Sequence, residues 1–184
     1  MEWKYSSTGI RSLAIGVDSL PCAKAALAAM KPETRAALAH PTSERWHDGG
    51  VVIDAAEAVF KFAGDAGVEA MNYAAVKQSL GPLMAPFLMV TLALFGSTPD
   101  SLFKRLNESL RTVMKGVQTQ WVPREPKGGG RLIITHPEEV REMSWPCWRG
   151  AMRFTFDMCR VTGQITDRRD ESTPRTLVFD CSWE

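Results

Sequence analysis

The end of this chain constrains its fold more than any other part. From Thr176 to Trp183 the residues alternate, with Leu177, Phe179, Cys181 and Trp183 on one face and Thr176, Val178, Asp180 and Ser182 on the other. A strand with one apolar face has to lie on something. The run Trp148 to Val161 supplies a cover: at helical spacing Arg149, Arg153, Asp157 and Arg160 share one narrow polar line, and Trp148, Ala151, Met152, Phe154, Phe156, Met158 and Cys159 surround the rest. Such a helix must itself be covered on two sides. Val161 to Asp167 predicts a partner strand, joined to the last one through the arginine-rich loop Arg168 to Arg175. Val117 to Val122 and Arg131 to Thr135 predict a further hairpin around a glycine-rich tip.

Upstream the signals are helical. An alanine-rich helix through Met30 follows the starting residues Asp18, Ser19 and Pro21, and Pro32 restarts a second one ending near His40. After a polar loop, Thr42 to Gly50, Asp54 opens a helix closed by Gly64, and Asp65 opens the next. Ser97-Thr98-Pro99-Asp100 is a strong helix start, with Leu102, Leu106, Leu110 and Val113 as the expected buried stripe. Gly9 to Val17 reads as a short strand or part of a helix. The whole predicts one α+β domain over residues 1–184, a helix-rich first two thirds packed on a small antiparallel sheet that holds a long C-terminal helix. At 184 residues two domains are not expected.

The net charge of +1, with arginines interleaved among acids, argues against nucleic acid as a partner. Neither a signal peptide nor a membrane span is expected, since Leu80 to Phe95 is apolar but short and broken by Pro82 and Pro86. Four scattered cysteines fit free thiols and a cytoplasmic protein.

Pro146-Cys147-Trp148-Arg149-Gly150-Ala151, the finish Val178-Phe179-Asp180-Cys181-Ser182-Trp183, Gly9, Gly81-Pro82-Leu83 and the segment around Leu102 together resemble a myxobacterial family of about 200 residues and unknown function. That family is similar to the heme NO-binding, vinyl-4-reductase-like and vesicle-tethering (TRAPP subunit) domains. The resemblance spans nearly the whole chain and implies the same α+β layout. Heme NO-binding members carry an axial histidine on a helix and a Tyr-x-Ser-x-Arg motif; neither Tyr5 nor Tyr73 begins one, so the resemblance does not imply heme. Vinyl-reductase-like members carry closely spaced cysteines near the end, whereas Cys159 and Cys181 here are far apart.

Among candidate sites, His136, Cys147, Cys159 and Cys181 are possible metal ligands without the short pair spacing of a zinc site. His40 and His47 flank a loop with Glu44, Arg45, Trp46 and Asp48 that offers acid–base groups but no matched nucleophile. Lys127-Gly128-Gly129-Gly130-Arg131 precedes a strand, so it is a hairpin turn and not a phosphate loop. Met84, Phe87, Met89 and Phe95, with Trp148, Met152 and Phe156, are the expected apolar ligand- or partner-binding residues. The expectation is a non-enzymatic, cofactor-free module that senses a small apolar ligand or binds a protein, and forms a homodimer. The alternative is a metal- or heme-dependent sensor, and a hydrolase or transferase ranks below both.

Overall fold

The computed structural model describes residues 2–79, 98–124 and 128–184. Strand β1 (Lys4–Ser6) runs straight into helix α1 (Ser7–Asp18), where the Ser6 hydroxyl accepts a hydrogen bond from the Gly9 amide. The strand reading of residues 9–17 is thereby corrected: Ile10, Leu13 and Val17 are spaced for one helical face, and all are buried. Helices α2 (Ala23–Ala29) and α3 (Pro32–Ala39) stand where proline and alanine placed them. The expected polar loop contains strand β2 (Trp46–Asp48).

Helix α4 (Gly50–Ser79) starts before Asp54, whose carboxylate instead accepts the Lys31 amide at 2.9 Å and so caps the start of α3. Its break falls at Gly64, as the sequence indicates; with φ 56° and ψ −158° this is backbone that essentially only glycine adopts. Helix α5 (Pro99–Val113) is capped by Thr98, and its buried centre is Phe103, one residue on from the expected Leu102 stripe. Strand β3 (Met114–Lys115), the hairpin β4 (Gln118–Pro123) and β5 (Gly129–Thr135), helix α6 (Ser144–Cys159), strand β6 (Gly163–Asp167) and strand β7 (Thr176–Trp183) complete the order. Pro146 lies inside the first turn of α6, where its missing N–H costs no bond.

Two antiparallel sheets result among the described residues, β2-β1-β3 and β4-β5-β7-β6. Two apolar clusters go with them: one among α1 to α4 around Ile10, Val59, Val68 and Met71, the other between the larger sheet and α5 and α6 around Phe103, Leu132, Ile134 and Phe179. The architecture is α+β, as expected. No helix among the described residues is long and apolar enough to cross a membrane.

Helix α6 sits between the clusters, and its close approach to α4 depends on Gly150. A Cβ there would run into the Glu69 carbonyl oxygen and lie 2.8 Å from the Tyr73 amide nitrogen. Backbone cannot step aside as a side-chain tip can. Gly150→Ala is therefore expected to destabilise the protein by about 2 kcal/mol, because overpacking of this kind outweighs the roughly 1 kcal/mol that alanine gains in helix propensity. A lowered urea midpoint at unchanged slope is the expected reading; an unchanged midpoint would show that the two helices part freely.

Candidate functional site

The polar line of α6 meets acids from two other elements. Arg149 donates through Nε to Glu69 at 3.1 Å, through Nη1 to Asp167 at 2.6 Å and through Nη2 to Asp65 at 2.7 Å. Arg153 adds a second pair to Glu69, and the Tyr73 hydroxyl donates to Asp157 at 2.7 Å. One helix is thus tied to the second half of α4 and to β6. The spacing of the basic residues was legible in the sequence; their partners were not. Beside this seam lies a groove of about 350 Å³ lined by Arg149, Arg153 and residues 163–166. Another, about 290 Å³, opens between α1, α2 and α3 beside Leu27, Arg35 and Leu38.

The opposite side of α6 faces the sheet. Trp148, Met152 and Phe156 are brought together as expected, but inside the packed cluster, with exposures of 7%, 1% and 2%. Phe103 stacks on Trp121 with ring centroids 4.7 Å apart and meets Phe156 edge-on at 6.0 Å, while Trp183 lies over Trp121. In the sequence this nest is signalled only by Trp183, on the inner face of the last strand. Met84, Phe87, Met89 and Phe95 lie outside the described residues.

The soft and borderline donors are separated. Trp148 donates its indole N–H to His136 Nε2 at 3.1 Å, which leaves the ring proton on Nδ1, and Trp3 packs edge-on against the same ring. Burial holds the pKa of His136 down at about 4. Cys181 lies 3.6 Å from the Met152 sulfur, and burial pushes the thiols of Cys147 and Cys181 up to about 12 and that of Cys159 up to about 11. Burial thus disfavours the thiolate form of all three. Among the described residues no three His, Cys, Asp or Glu side chains converge on a metal position.

Residues of the His40 to Asp48 loop are engaged in structure. His47 is buried with Nε2 donating to the Pro41 carbonyl at 2.8 Å, Asp48 accepts the Gly50 amide, and Lys115 lies over the Trp46 ring. The arginine-rich loop is balanced as well. Arg131 and Arg168 both donate to Asp180, at 2.9 and 2.8 Å, and Asp170 and Glu171 take up further guanidinium nitrogens.

Heme demands an axial histidine, a thiolate, a phenolate, or a methionine paired with histidine. His136 holds the Trp148 indole, His47 the Pro41 carbonyl, and His40 ends α3 at the surface. Burial raises the pKa of the Tyr5 phenol and disfavours its phenolate, while Tyr73 is engaged with Asp157. Among the described residues, both buried histidines thus have a ring nitrogen engaged by the protein, and neither phenol is set up as a phenolate ligand for heme.

No protein-family model matches this sequence, and no curated protein matches it in sequence. Solved structures do. A doubly substituted Tt H-NOX superposes with a TM-score of 0.64 at 11% identity, over 97% of this chain and 95% of that one. The Fe(II) unliganded H-NOX protein from K. algicida gives 0.64 at 11% identity, over 96% and 95%. An oxygen-binding H-NOX domain related to soluble guanylate cyclases, in its oxygen complex, gives 0.58 at 9% identity, over 94% and 92%. Likeness at such identity is one of fold, and over almost its full length the chain has the fold of the H-NOX domains.

Proposed function

We propose that this chain is a non-enzymatic sensor domain on the H-NOX fold that does not use heme. The fold likeness favours the alternative, a metal- or heme-dependent sensor, over the apolar-ligand or partner-binding module expected first; we adopt its sensor class and keep the apolar ligand of the first expectation. The observation that carries the heme-free form of it is the set of three histidines, whose only buried members, His47 and His136, are already bonded to protein groups. The ligand class we assign is a small apolar molecule, with Met84, Phe87, Met89 and Phe95 as the residues to receive it. A cytoplasmic setting, and the narrower kinship with the myxobacterial family and the TRAPP-like subunits, belong to this proposal; free buried thiols and the C-terminal motifs support them.

The second reading is a heme-loaded sensor, favoured by the oxygen complex of one structural relative. A hemin titration followed by absorbance separates the two. The heme-free reading expects only the weak, non-saturating signal of free hemin. A saturable Soret band at one heme per chain would overturn it, and loss of that band in His136→Ala, His47→Ala or His40→Ala would name the ligand.

A further inference from the structure

We draw no further inference here: the strongest candidate, the surface groove between α1, α2 and α3 where Asp18 and Arg35 stand beside Leu27 and Leu38, has both of its charged side chains exposed to solvent, and nothing in the structure shows what covers it.

Discussion

Replacing Arg149 with methionine is expected to destabilise the fold by about 1–3 kcal/mol at neutral pH, the cost of losing the charge-assisted hydrogen bonds of a half-buried ionic cluster. The Arg149 side chain is only 17% exposed, and its partners Glu69 and Asp167 only 14% and 15%. Without it, those carboxylates and Asp65 have Arg153 beside Glu69 and the more distant Arg169 to answer them. The pH dependence has a definite sign. Burial lifts the pKa of Asp167 above the usual carboxylate value, while Arg149 and Arg169 pull it down. An acid with a raised pKa in the fold favours the folded state below its unfolded pKa and loses that contribution as pH rises through the folded value. Deleting Arg149 raises the Asp167 pKa further, so the penalty should be smallest in acid and grow toward neutrality. Urea unfolding of both proteins at acid and neutral pH measures it; an equal penalty at both would mean that Arg149 does not hold down the pKa of Asp167.

This cluster also shows how the parts of the fold are coupled. Helix α6 gives its aromatic side to the sheet and its glycine and arginines to α4, and Arg149 bonds both to α4 and, through Asp167, to β6. A sensor on this fold needs some such link between its helical part and its sheet, and among the described residues the Arg149 cluster is the link with the most directional bonds.

The C-terminal half was legible because its signals are local. Alternation marks β7 to the residue, and the polar line of α6 at i, i+4 survives in the fold. Residues 9–17 misled because two glycines and branched residues in a short window mask a period that only tertiary packing makes decisive. Asp54 misled for a similar reason: it has the chemistry of a cap, but the helix end it caps comes from another part of the chain, 23 residues away. Two of the three acids that hold Arg149 lie 80 and 84 residues from it in sequence, and no periodicity reports a contact of that range. His136 suits metals by residue type alone. What engages it is the Trp148 indole, twelve positions on, which nothing in the local pattern announces.

That bond predicts the second large effect. A neutral His136 accepts from Trp148 through Nε2; protonation there would remove the acceptor and place a charge between Trp3 and Trp148 in a buried site. The folded pKa of about 4 lies below the ordinary 6.5, so between these values the unfolded chain binds the proton and the folded chain does not. Stability from this group is complete above pH 6.5 and is lost as pH falls toward 4, by about 3 kcal/mol in all. Other groups titrate nearby, among them Asp180 and Glu142, whose depressed pKa values also cost stability in acid, and Asp167, which acts in the opposite sense. The difference between the unsubstituted protein and His136→Gln removes them, because glutamine can still accept from the Trp148 indole but cannot take the proton. Urea stabilities of the two should converge as pH falls from 6.5 to 4; curves that stay parallel would show that His136 is protonated in the fold as readily as in the unfolded chain, and that the bond to Trp148 does not fix its charge.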